Sequence, residues 1–104
     1  MNKRWYIPEA TIVAFAKHLN RLSGTLYPVT ADDDGREVLA NEGDHATLLR
    51  MLVRLSWRAS FDRPDKGTTE AWSVRDELDR RWRFLVQTEC DEGRLPQLIG
   101  VLPE

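Results

Sequence analysis

Cysteine is nearly absent: Cys90 is the sole thiol in 104 residues, so no disulfide can form within the chain. Together with the lack of a signal-peptide-like leader, this places the protein in a reducing compartment, the cytoplasm, as an expectation. Long apolar stretches are missing too, since nothing approaches the ~18 consecutive apolar residues of a membrane-spanning helix. A charge excess of either sign is also missing. The 15 basic and 17 acidic residues leave a net charge of −2, which disfavours a general polyanion binder. Lysine is scarce, with three Lys against twelve Arg. A guanidinium-rich surface suits bidentate contact with carboxylates or phosphates, although a GC-rich genome would give the same excess.

The motifs of catalysis and cofactor binding are missing as well. There is no G-x-S-x-G, no phosphate-cradling glycine loop and no H-E-x-x-H. His18, His45 and Cys90 share no metal-ligand spacing. The acidic stretch Asp32-Asp33-Asp34-Gly35 resembles a calcium loop only in its middle. With Gly35 at loop position 6, Thr30 and Asn41 fall where acids are required, so it reads as a solvated turn. Cys90 lies among Glu89, Asp91 and Glu92, which should raise its pKa and make it a poor nucleophile. No catalytic residue, cofactor or metal is expected.

What is present is a foldable mixture, 41% hydrophobic and 31% charged, of a length that suits one domain spanning 1–104. The pattern predicts a helix over about 8–23. Pro8 and Glu9 suit its first turn, Ile12, Phe15, Ala16, Leu19 and Leu22 form its apolar face, and Gly24 ends it. Residues 25–40 predict a β-hairpin turning at Asp34-Gly35, with Pro28 confining its first strand to an edge. A second helix is expected over about 44–60, capped by Asp44 and buried through Leu48, Leu52, Leu55 and Ala59. Residues 61–67 read as a loop.

A third helix is expected over about 69–92, with Ala71, Val74, Leu78, Trp82 and Leu85 as its seam. Asp76–Arg80, Glu77–Arg81 and Asp79–Arg83 would be its i,i+4 ion pairs. The apolar tail 95–104 should dock through Leu98, Ile99, Val101 and Leu102. The expected fold is therefore mainly α, a compact three-helix domain with a small hairpin, and a small α+β arrangement is the alternative.

The most informative surface feature is Arg50, Arg54 and Arg58, a basic stripe at i, i+4 and i+8 with Trp57 beside it and Arg63 as an extension. Trp5 and Trp72 are not claimed by any predicted core seam, and Trp and Arg are the types enriched at binding hot spots. These residues point to a non-enzymatic protein-interaction module with an acidic partner. One form such a module takes is a small mobile-element inhibitor that binds a larger host complex, as anti-CRISPR proteins do. The alternatives are a nucleic-acid-contact protein using the arginine stripe and, with least support, an enzyme whose site carries no known motif.

Overall fold

The computed structural model describes residues 6–64, 69–87 and 96–104, with backbone alone for 60–64 and 69. Two helices, α1 (Glu9–Ser23) and α2 (Glu42–Arg58), combine with six strands. The strands are β1 (Val29–Ala31), β2 (Glu37–Leu39), β3 (Ser60–Pro64), β4 (Thr69–Arg75), β5 (Arg81–Gln87) and β6 (Gln97–Pro103). β1 and β2 form a separate hairpin, and the other four make an antiparallel sheet in the order β3-β4-β5-β6. The molecule is a small α+β protein, which overturns the mainly-α, three-helix expectation.

The correction centres on residues 69–92. The described part of that segment is a hairpin, with Val74 opposite Trp82 and Trp72 opposite Phe84. Trp82, Phe84 and Val86 are buried while the residues between them are not. That is the period of two of a strand with one covered face. Val74 and Trp82 share the covered face because they stand directly opposite each other across the hairpin, not because they lie on one helical seam. Leu78, placed at its centre, instead sits 72% exposed. The β-branched and aromatic residues Trp72, Val74, Trp82, Phe84 and Val86 favour the pleated arrangement.

The remaining boundaries follow from local chemistry. α1 stops at Gly24, which takes a positive φ of 84°. Asn41 rather than Asp44 occupies the α2 cap position, and Asp44 falls in the first turn, where its charge still favours the helix dipole. The loop expected from 61 is β3 as far as Pro64. The apolar tail does dock, as β6. A bulge there carries Ile99 out of register, so that both Leu98 and Val101 face the helices. Gly100 then faces Leu85 so closely that a Cβ would lie 3.1 Å from its Cδ1.

Both helices lie on one face of the sheet and share its core. Ile12, Phe15, Ala16 and Leu19 of α1 and Leu48, Leu52, Leu55 of α2 meet Val74, Trp82, Phe84, Val86, Leu98 and Val101. Phe15 packs edge-on against Trp82 at 5.2 Å between ring centroids. The Thr11 hydroxyl donates to the Leu98 carbonyl at 2.8 Å, tying α1 to β6. Leu22, expected on the buried face of α1, is instead half exposed. Among the described residues, no helix is long and apolar enough to cross a membrane.

Candidate functional site

The buried face of α2 is defined by Leu48, Leu52, Leu55 and Ser56. At about 100° per residue, the opposite face runs in order through Val53, Trp57, Arg50, Arg54 and Arg58, and then reaches Met51. Arg50, Arg54 and Arg58 are all exposed, and none forms an ion pair with an acid among the described residues. Trp57 is 62% exposed beside them. Arg50, Arg54 and Arg58 thus share one exposed face of α2, and among the described residues no acid neutralises them. Of the three acid–arginine pairs expected on a third helix, Asp76–Arg80 forms at 2.8 Å, while Asp79 and Arg83 take other partners. Asp79 pairs with Arg75 and Arg83 with Glu104.

Beyond Arg58 the surface dips into a cleft of about 340 Å³ between α2, α1 and the β4–β5 turn. Phe15, Leu19, Met51 and Leu55 supply apolar walls, Arg54 and Arg58 stand on the α2 side, and Glu77, Leu78 and Arg80 stand on the turn side. The turn is held by Asp76. Its backbone N–H donates to the Arg80 carbonyl at 2.9 Å, and its carbonyl accepts from Asp79 N–H at 3.0 Å. Its carboxylate accepts from the backbone N–H of Leu78 at 2.9 Å and of Arg80 at 2.8 Å. The other oxygen accepts from Arg80 Nε at 2.8 Å and from the Trp82 indole at 2.9 Å.

Burial pushes the Asp76 carboxyl up, but the Trp82 and Arg80 hydrogen bonds and the Arg80 charge outweigh it, so its pKa lies below the ordinary value. With four donors on two oxygens, this carboxylate anchors a turn and has no acceptor capacity directed at the cleft. On α1, His18 lies edge-on to Trp82 at 6.4 Å. Desolvation, then Arg21 and Lys17, lower its pKa.

The other residues singled out from sequence scatter. Trp72 lies on β4, partly buried and packed against the core. Arg63 lies on β3 with its side chain outside the described part, and Trp5 and Cys90 lie outside the described residues altogether. His45 is half-buried. The acidic turn closes on itself: Asp32 accepts from Asp34 and Arg36 N–H at 2.9 Å each. Among the described residues no three His, Cys, Asp or Glu side chains gather as metal ligands.

Sequence reasoning missed the cleft and Leu78 as its lip, because both depend on the β4–β5 turn. A signal for that turn was present. Asp76-Glu77-Leu78-Asp79-Arg80 echoes Asp32-Asp33-Asp34-Gly35-Arg36, the stretch already read as a hairpin turn. Comparison with family models, curated proteins and solved structures finds no match for the chain.

Proposed function

We propose that the protein is a non-enzymatic binding module that docks a protein partner on the outer face of α2. The observation that carries this reading is the exposed stripe Arg50, Arg54 and Arg58, without an ion pair among the described residues, beside an exposed Trp57. Unpaired arginines next to a large aromatic are the chemistry of an interface hot spot. Carboxylates are the natural complement, because guanidinium groups bind them in bidentate geometry. The saturated Asp76 carboxylate supports binding over acid–base chemistry at the adjoining cleft. An inhibitor that occludes a larger complex, of the anti-CRISPR kind, is one way such a face would act.

Trp57 beside arginines also suits stacking on single-stranded nucleic acid. The net charge of −2 and the acids at Glu42, Asp44 and Glu77 oppose a polyanion at long range. The test is the double reversal Arg50→Glu with Arg54→Glu. Both side chains are exposed, so the melting temperature should hold. A partner captured from source-cell extract and identified should bind the purified protein and lose at least about tenfold in affinity to the double variant. DNA and RNA should bind no more tightly than about 1 µM near 150 mM salt. Submicromolar nucleic-acid binding abolished by the reversal would transfer the stripe to a nucleic-acid role.

A further inference from the structure

Leu78 is a costly residue for its place. It stands at the apex of a turn, where any polar residue would serve, and is the most exposed of the large apolar side chains described, at 72%. It also lines the apolar cleft together with Met51 and Leu55. At about 340 Å³, the cleft lies at the small end of the ~300–1,000 Å³ seen for ligand pockets. That is room for one or two side chains of a partner. Its charged rim is asymmetric. Arg80 is neutralised by Asp76, Arg54 and Arg58 carry positive charge on the α2 side with no acid paired to them among the described residues, and Glu77 carries negative charge on the turn side.

We infer that this cleft is the anchor pocket of the docking face, and that its occupant is an acidic amphipathic helix of the partner. An apolar side chain of that helix enters between Met51, Leu55 and Leu78, while its carboxylates lie on Arg54 and Arg58. The inference rests on the protein-docking reading above and adds the chemistry of the partner. Arg54 and Arg58 are one helical turn apart, about 6 Å along the axis. Carboxylates at i and i+4 of a second helix have the same spacing. Apolar residues at i+3 and i+7 of that helix form the neighbouring row, just as Met51 and Leu55 neighbour the arginines on α2. Helix-in-groove recognition uses this combination of apolar anchors and a flanking charged row. Glu77 sets the orientation, since an acidic row laid on the turn side would meet like charge.

The probe is a capped, alanine-based helical peptide of about 20 residues, with Glu at i and i+4 and Leu at i+3 and i+7. Titration followed by amide chemical shifts should move the signals of 51–58 and 77–80. Arg54→Glu with Arg58→Glu, Leu78→Ser, and a probe with Leu replaced by Ser should each weaken binding about tenfold or more. Glu77→Gln should tighten it about two- to threefold, a gain that a merely damaged fold would not show. No shifts at ~1 mM probe, equal binding of a probe carrying Lys in place of Glu, or shifts centred on the β1–β2 hairpin would each overturn the proposal. The two readings fail differently. If the identified partner is lost on Arg50→Glu/Arg54→Glu but indifferent to Leu78→Ser, the anchor is wrong and the docking face stands. If it is indifferent to the arginine reversal, the docking face itself falls.

Discussion

Asp32-Asp33-Asp34-Gly35-Arg36 and Asp76-Glu77-Leu78-Asp79-Arg80 close their hairpins in the same way. In each, the leading Asp exchanges backbone hydrogen bonds with the Arg four residues on and with the residue before it. In each, its Oδ1 accepts two backbone N–H groups, and the fourth residue has positive φ, 79° at Gly35 and 65° at Asp79. This is a type I turn followed by a left-handed residue, a common three-residue hairpin closure. The difference lies around them. The first turn is exposed, and Arg36 reaches Asp32 at 3.7 Å and Asp34 at 2.8 Å in solvent. The second rests on the core, and Asp76 also accepts the indole N–H of the fully buried Trp82. One local design is thus ornament to a solvated hairpin in one place and an anchor between turn and core in the other. What separates them is burial.

The largest expected effect follows from that contrast. Asp76→Ala should cost about 3 kcal/mol, because it leaves the Trp82 indole and the Arg80 guanidinium without their acceptor. Asp32→Ala, with water ready to replace the carboxylate, should cost about 1 kcal/mol or less. Urea unfolding of both variants compares them directly. Equal losses would break the distinction.

Acid should expose the same asymmetry without a mutation. The Asp76 pKa is lowered in the folded state, so its contribution is present above the unfolded value of about 3.9 and is lost as pH falls through the folded value. His18 is lowered too, which makes the unfolded chain take up its proton first and costs stability as pH falls below about 6.5. Stability against pH should therefore fall in two stages. His18→Gln should remove the upper stage and Asp76→Asn the lower one.

The left-handed position offers an exchange of smaller size. Gly35→Ala should destabilise by about 1 kcal/mol, since a Cβ is strained there, although nothing crowds it within 4 Å. Asp79→Gly should stabilise by about 0.5–1 kcal/mol by relieving the same strain, offset in part by losing the exposed Arg75 pair. Thermal melts with opposite shifts would support the shared turn geometry. The smallest effect belongs to Arg36→Ala, worth about 0.5 kcal/mol at low salt and nothing measurable near 1 M; a loss that survives high salt would place Arg36 in a less solvated site.

The two turns also show why one hairpin was legible and the other was not. Asp34-Gly35 carries a glycine where φ must be positive, and Val29 and Val38-Leu39 flank it, so the turn is visible in a few residues. At the second turn Asp79 takes the glycine's place. Acid followed by arginine four residues later fits a helical ion pair and this five-residue turn equally well. The Asp76–Arg80 pair was foreseen and is real at 2.8 Å, but it closes a turn and not a helix. The alternation of Trp82, Phe84 and Val86 was the competing signal, three positions long against a longer run of helix-compatible spacing. For the candidate site, the arginine face of α2 was legible because one helix presents it whole. The cleft was not, because its walls come from α1, α2 and a turn distant in sequence.

What the amino-acid sequence determined by itself is local. It specified two amphipathic helices through their 3.6-residue period, a glycine-closed hairpin, and the stripe on which Arg50, Arg54 and Arg58 stand. Tertiary structure decided whether 69–87 would be helix or hairpin, and it chose the hairpin because only the period-two face buries Trp82, Phe84 and Val86 together beneath both helices. It also decided the weight of Asp76 and the existence of the cleft. Both depend on which side chains lose contact with water when distant segments meet, and no window of neighbouring residues contains that information.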